Sequence, residues 1–185
     1  AELSFLPLLT VVLAIPLILS KSQRNYQLLA LLPLLWLCDV HHHLRASGLL
    51  PQSDLRSDLV AVDLIVVVLV IITGRIVPLF TRNALEDDRV RAIPALNIAT
   101  TIVVFLVVIA EIMSPSSVVM AVAAGLAGVL VLVRSFTWGS LKTFGTPILW
   151  VLHLGVAWIW FGLLLKAASA AGLMIPPSAA TPALT

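Results

Sequence analysis

Residues 74–83 read Gly74-Arg75-Ile76-Val77-Pro78-Leu79-Phe80-Thr81-Arg82-Asn83, and they follow an uncharged run from Leu64 to Thr73. A guanidinium at the centre of a membrane helix costs roughly 2.5–3.5 kcal/mol on insertion scales, so Arg75 needs a partner or a short route to water. Pro78 has no backbone N–H and clashes with the carbonyl of Gly74, four residues earlier. A helix that only anchors the chain needs neither feature. The stretch therefore predicts a polar group bound near Arg75.

The composition of the chain is that of a membrane protein. Of 185 residues, 61% are hydrophobic and 11% are charged. Several apolar runs approach the roughly 20 residues needed to cross a bilayer. The net charge of +2 is carried by loops and helix ends, which gives no support to a nucleic-acid partner. The sequence predicts an all-α, polytopic transmembrane helical bundle in a lipid bilayer.

The apolar runs predict about six spans in order along the chain. They cover residues 3–20, 26–45, 58–81, 94–113, 118–133 and 147–166, and a seventh would start after Pro177. The very short connection at residues 114–117 is expected to place spans four and five antiparallel and side by side. Gly125 and Gly128 would let another helix approach span five closely. Because the chain lacks an initiating Met, we interpret residues 1–185 as one membrane domain of a longer protein, with no visible signal peptide.

The distribution of lysine and arginine predicts the orientation of these spans. Alternate connections carry most of the positive charge, namely Lys21, Arg24, Arg82, Arg89, Arg91, Arg134 and Lys142. These connections are predicted to be cytoplasmic, with Ala1 outside. At about 1.5 Å per helical residue, the polar side chains of the spans then fall into an outer and an inner layer, too far apart for one metal ion.

The outer layer consists of side chains that bind or orient metals: Cys38, Asp39, His41, His42, His43 and Asp63. Residues three and four apart share a helix face, so Cys38, His41 and His42 point one way. Neutral imidazole and thiolate suit copper, zinc or haem iron, and a carboxylate can orient a ligating ring. The alternative is a hydrated, histidine-rich helix end with no metal.

The inner layer consists of Arg75, Arg82, Asn83 and His153. Arg75 and Arg82 are two turns apart on one face and could pair with propionates or another anion through bidentate hydrogen bonds. The alternatives are a cytoplasmic flank for Arg82, a snorkelling side chain for Arg75 and a buried, hydrogen-bonded ring for His153. An ionisable residue inside a span is nevertheless a functional candidate by default.

Four other polar or aromatic residues are predicted to have ordinary roles. Trp138 would belong to the interfacial aromatic belt, Glu111 would be solvated, and Lys166 would be a flank charge. Arg134 would open a loop or interfacial stretch that continues to Thr146.

Two stretches of the chain resemble motifs of the NnrS family, which comprises bacterial polytopic membrane proteins that contain haem and copper and are linked to nitric oxide and denitrification. Residues 74–85 are similar to its GGRxxPFFTRNAL motif, and residues 147–158 to its P-LLW-LHLGYAW pattern. A weaker similarity joins Asp39 and His43-Leu44 to an N-LLFHL segment. Arg134 with Trp138-Gly139 fits the charged stretch before the second motif.

The resemblance implies haem and copper as cofactors and a role in nitrosative stress in the bacterial inner membrane. It implies metal ligands among Cys38, His42, His43 and His153, and cofactor contacts from Arg75, Arg82, Asn83 and His153. It also implies a whole protein of about twelve spans. The sequence departs from the family pattern at Thr73, Asp39 and His42, and Pro182 stands where a family HALT segment has histidine.

Two other classes of function stay open at this point. Pro-interrupted spans and Asp63 also fit a transporter or channel for a small anion or a metal, although no internal repeat is evident. A non-catalytic assembly subunit would need no cofactor. Neither the residues nor the resemblance indicates a catalysed reaction.

Overall fold

Six α-helices form the computed structural model, which describes residues 2–21, 23–50, 55–113 and 117–173. They are α1 (Phe5–Leu19), α2 (Gln23–Ala46), α3 (Ser57–Leu85), α4 (Pro94–Met113), α5 (Ser117–Thr137) and α6 (Pro147–Ala170). Short 3-10 turns lie at Glu2–Ser4 and Ser140–Lys142. The predicted all-α bundle is confirmed. The seventh helix expected after Pro177 and the segment around Pro182 lie outside the described residues.

Four of these helices, α3 to α6, are long and apolar enough to cross a membrane. The other two differ for separate reasons. Helix α1 has 15 residues and so spans only about 22 Å. Helix α2 has 24 residues but carries Asp39, three histidines and Arg45 in its second half, which lowers its apolarity. The predicted multi-pass membrane protein is therefore supported by length and composition for residues 57–170. Helix α2 packs against α3, and α1 packs against α2.

Consecutive helices pack against one another, and α3 also contacts α6. Helices α4 and α5 lie side by side, as the short connection between them predicted. A Cβ atom at Gly128 would lie 2.9 Å from Leu164 Cγ and 3.2 Å from the carbonyl oxygen of Trp160. The predicted close approach at this glycine is thus confirmed, and the helix that approaches is α6.

Helix α3 lies at the centre of the bundle because it has neighbours on several sides. Val67, Val70 and Val77 on α3 are almost completely buried, and they join Val104 of α4 and Val131 of α5 in one apolar core. Because lipid tails are as apolar as these side chains, van der Waals packing between the helices holds such a core together. The motif at residues 74–83 therefore lies on a helix that contacts α2, α4 and α6, where its buried polar groups need partners inside the protein.

All four predictions of ordinary roles are wrong. Helix α5 continues to Thr137, so Arg134 lies within this helix and is 1% exposed instead of opening a loop. Gly139, with φ at +74°, turns the chain back after the helix. Trp138 is therefore 0% exposed instead of belonging to an interfacial belt. Glu111 and Lys166 are 12% and 14% exposed and bind each other, because the ends of α4 and α6 meet beside α3.

Candidate functional site

His153 lies between α3 and the turn that precedes α6. Its Nε2 atom is 3.0 Å from the hydroxyl of Thr81, and its Nδ1 atom is 2.9 Å from the hydroxyl of Ser140. Ser140 donates its single hydroxyl proton to the carbonyl of Ser135, at 2.6 Å, so Nδ1–H of His153 must be the donor in the other bond. Nε2 is then unprotonated and accepts a hydrogen bond from Thr81. The ring of His153, in the second motif region, is thus fixed in one tautomer by Thr81 of the first motif region and by Ser140 of the turn before α6.

The 3-10 turn Ser140–Lys142, which carries Ser140, is tied to the loop between α3 and α4. Lys142 Nζ lies 2.6 Å from Asp87 Oδ2, and the Arg89 backbone N–H donates to Asp87 Oδ1 at 3.0 Å. These two contacts, the Lys142 bond first, lower the pKa of Asp87 below its ordinary value. This exposed ion pair joins the turn that carries Ser140 to the loop that follows α3.

The carbonyl of Gly74, in the middle of α3, lacks its usual hydrogen-bond donor within the helix. Pro78 has no N–H to donate to the Gly74 oxygen four residues earlier. Asn97 of α4 replaces that donor, because its Nδ2 atom lies 3.1 Å from the Gly74 oxygen. A proline that would leave a buried carbonyl without a partner is in this way tolerated through a neighbouring helix.

Arg134 of α5 binds the same part of α3. The side chain is 1% exposed. Its Nη1 atom donates to the Val70 carbonyl at 3.0 Å and its Nη2 atom to the Thr73 hydroxyl at 3.3 Å. The guanidinium carbon lies 4.9 Å from the centre of the Trp138 ring, a distance at which cation and ring attract each other. Arg134 is thus a buried cation whose hydrogen-bond partners are neutral.

Gly74 leaves the space that this arrangement needs. A Cβ atom there would lie 2.9 Å from Arg134 Nη1 and 3.3 Å from Asn97 Oδ1. The close approach of these two side chains explains why residue 74 is a glycine. Asn97 explains why Pro78 is tolerated, since it binds the carbonyl that the proline leaves without a donor. Three buried atoms around this point have no hydrogen-bond partner in the described part of the chain: Asn97 Oδ1, Arg134 Nε and Trp138 Nε1.

The substitution Gly74→Ala is expected to destabilise the protein by about 1–3 kcal/mol, because a methyl group would overpack the site. Gly155→Ala is the matched control, since no atom lies within 4 Å of a Cβ at that helical position. The control should be neutral or stabilising by about 0.5–1 kcal/mol. Unfolding in detergent would measure both changes, and equal effects of the two substitutions would contradict this account of Gly74.

The structure separates the residues predicted for the inner layer. Arg75 faces α2, where its Nη1 atom donates to Asn25 Oδ1 at 3.0 Å and its Nη2 atom lies 3.5 Å from Gln27 Oε1. Thr81, the partner of His153, lies on a different face of α3. Arg82 and Asn83 are exposed at the end of α3. Arg75 and His153 are therefore not brought together.

The residues predicted for the outer layer also fall into two groups. His43 Nε2 lies 3.5 Å from the carboxylate of Asp39, and the rings of His42 and His43 meet edge to face at 6.2 Å. Cys38 packs against the apolar core. In the described ranges no three His, Cys, Asp or Glu side chains come together as a metal site.

Asp63, the last member of the outer layer, binds a lysine instead of a histidine. It is 2% exposed and lies 2.6 Å from Lys166 Nζ, which also lies 2.9 Å from Glu111 Oε2. Asp63, Glu111 and Lys166 together form what we call the Lys166 cluster. Asp63 and Thr81 are separated by about 27 Å along α3, so this cluster and His153 lie near opposite ends of the bundle.

Sequence reasoning missed Arg134, Asn97 and Ser140 as parts of this region. The sequence contains one signal for Asn97 and one for Arg134. Pro78 leaves a carbonyl that needs a donor from another helix, and Asn97 is a polar residue in an adjacent apolar span. Trp138 follows Arg134 by four residues, the spacing at which side chains meet on a helix. No local signal marks Ser140, because its contact depends on how the turn folds back.

A family model described as NnrS protein matches residues 1–185. No curated protein and no solved structure matches the chain.

Proposed function

Because the chain belongs to the NnrS family, we propose that it is a membrane protein of the bacterial inner membrane that holds haem and copper and takes part in the nitric oxide response and in denitrification. One observation carries the proposal: the two family motifs meet, since Thr81 of the first binds His153 of the second. Residues 1–185 would act as a single membrane domain of a longer protein.

His153 is our first candidate for a ligand. A histidine that binds a metal through Nε2 usually donates Nδ1–H to a fixed acceptor, which sets its tautomer and ring orientation. Ser140 is such an acceptor here. Nε2 would bind the metal in place of the Thr81 hydroxyl. Arg82 and Asn83, which follow Thr81 directly, are the candidates for contacts to an anionic edge of the cofactor.

His43 is the candidate ligand at the other end of the bundle, with Asp39 as the carboxylate that orients its ring. His42 and Cys38 lie on the same helix and are the further candidates. Since fewer than three such groups meet in the described residues, a copper site here needs a ligand from another part of the protein. Haem iron or copper, when bound, would supply a centre that binds small molecules such as nitric oxide.

Absorption spectra and metal analysis of the full-length protein in detergent, before and after dithionite, test this proposal. We expect a Soret band and stoichiometric copper. His153→Ala should lower the haem content at least several-fold, and His43→Ala should lower copper. Unchanged haem and copper in both variants would rule out the assignment.

Two further variants separate ligation from a structural role for His153. Ser140→Ala removes the acceptor for Nδ1–H and should lower haem content, whereas Thr81→Val removes only the hydroxyl that competes for Nε2 and should not. If His153 is only a packing residue, both variants change stability and leave cofactor content as in the wild type.

A further inference from the structure

The last turn of α5 is tied to α3 by the side chain of Arg134. Its guanidinium donates to the Val70 carbonyl at 3.0 Å and to the Thr73 hydroxyl at 3.3 Å. Helices α4 and α6 each pack along α5, whereas the backbones of α3 and α5 have few direct contacts. The long side chain of Arg134 therefore bridges two helices that are not close neighbours in the bundle.

The chain that follows Arg134 folds back tightly onto the end of α5. The hydroxyl of Thr137 donates to the Arg134 carbonyl at 2.7 Å. The hydroxyl of Ser140 donates to the Ser135 carbonyl at 2.6 Å, and Thr143 in turn donates to the Ser140 carbonyl at 2.7 Å. The last carbonyls of a helix have no partner within it, and here hydroxyl groups of the following turn bind two of them. Ser140 is thus bound directly to the turn of α5 that Arg134 ties to α3.

Both hydrogen-bond partners of the His153 ring therefore depend on α3. Thr81 belongs to this helix, on the same face as Val70 three turns earlier, and Ser140 is connected to it through α5. The two ring nitrogens lie a fixed distance apart. Because a hydrogen bond is lost when its atoms separate by about 1 Å more than the ideal distance, the ring can bind both hydroxyls only while α5 keeps its position relative to α3.

We propose that Arg134 is a positioning residue for His153. Through Val70 and Thr73 it holds the end of α5 where Ser140 accepts Nδ1–H of the ring, while Nε2 is directed at α3. Without this link the ring loses its fixed acceptor, and its single proton can lie on either nitrogen. The expected effect on haem rests on the proposed function, in which Nε2 of His153 is the ligand, but the expected effect on the tautomer does not.

Nitrogen NMR of the histidine rings tests the proposal in the full-length protein, prepared without haem in slightly alkaline buffer so that the rings are neutral. His153→Ala identifies the His153 signals. In the wild type the proton should lie on Nδ1. Arg134→Met should lower the ratio of the Nδ1–H to the Nε2–H tautomer about five-fold, the effect of one lost neutral hydrogen bond. Arg134→Lys, which keeps the charge but not the fork of donors, should lower it less.

Two substitutions at other residues separate positioning from a general loss of stability. Gly74→Ala leaves Arg134 in the sequence but puts a Cβ atom 2.9 Å from its Nη1 atom, so this variant should also lower the tautomer ratio. Val104→Ala opens a cavity at a 1% exposed core position of α4, away from these hydrogen bonds, and should leave the ratio as in the wild type. An unchanged ratio in Arg134→Met and Gly74→Ala, or an equal fall in Val104→Ala, would overturn the proposal.

A double variant shows whether Arg134 acts through Ser140. Since Ser140→Ala already removes the acceptor, adding Arg134→Met should cause no further fall in the tautomer ratio. A further fall would overturn the proposed route from Arg134 to His153. The haem content of the same variants, prepared with haem, separates this proposal from the proposed function. If the tautomer ratio falls and the haem content does not, the positioning role is supported and His153 is not the haem ligand.

Discussion

Lys166→Met is expected to destabilise the protein by about 3–5 kcal/mol, the cost of removing one partner of a buried ion pair. Lys166 Nζ bridges Asp63 and Glu111, at 2.6 and 2.9 Å, and joins α6 to α3 and α4. Without the ammonium, two carboxylates would face each other, one of them on a side chain only 2% exposed. Chemical or thermal unfolding in detergent would measure the loss.

Lys142 is a matched control for this substitution. Its Nζ atom also lies 2.6 Å from a carboxylate oxygen, that of Asp87, but its side chain is 58% exposed. Exposed ion pairs contribute about 0–1 kcal/mol, so Lys142→Met should have a small effect. If Lys166→Met and Lys142→Met lowered the free energy of unfolding by similar amounts, burial would not be what makes the Lys166 cluster important for stability.

A triple variant shows whether the cost comes from the unpaired charges. In Asp63→Asn, Glu111→Gln, Lys166→Met no charge remains, and buried ion pairs can often be replaced by neutral groups at little cost. We therefore expect most of the stability lost in Lys166→Met to return. A triple variant as unstable as Lys166→Met would mean that the methylene groups of the lysine, not its charge, hold α6 in place.

The fold class could be predicted from the sequence because it depends on the length of apolar runs. Helix α4 has 20 residues, enough to cross a bilayer. The connection between α4 and α5 is too short to return across the bilayer, so the two helices must be antiparallel whatever the other helices do. The close approach at Gly128 was also predictable, although the partner helix was not. The end of α5 was harder to predict, because Arg134 was expected to begin a loop or interfacial stretch, whereas it is a buried residue in the last turn of the helix.

The arrangement of the candidate site was less predictable, because it depends on contacts between helices that are distant in sequence. Arg75 and His153 have similar predicted depths in the membrane, but depth does not determine which face of α3 a side chain uses. Glu111 and Lys166 each look like charges at a span end, and only the packing of α4 and α6 against Asp63 brings them together. The role of Gly74 likewise requires the position of Arg134, which comes 60 residues later in the chain.

The motif proline and Asn97 are expected to act as a pair. Asn97→Leu removes the donor to the Gly74 carbonyl and should cost about 1–3 kcal/mol, as for other buried polar groups left without a partner. The loss should fall at the low end, since the substitution also removes Asn97 Oδ1, which has no hydrogen-bond partner in the described residues. In a Pro78→Ala background, the alanine N–H can bind the Gly74 oxygen within the helix, so Asn97→Leu should cost much less.

A double-mutant cycle on unfolding free energies measures this coupling, which we expect to be on the order of 1 kcal/mol. Thr100→Val provides the control on the same helix: Thr100 is 0% exposed, but its hydroxyl binds Leu96 within α4 at 2.7 Å. Its effect should be the same with proline or alanine at residue 78. If Asn97→Leu also costs the same in both backgrounds, the Asn97 amide does not replace the donor that Pro78 lacks, and the proline must be explained by the shape of α3 alone.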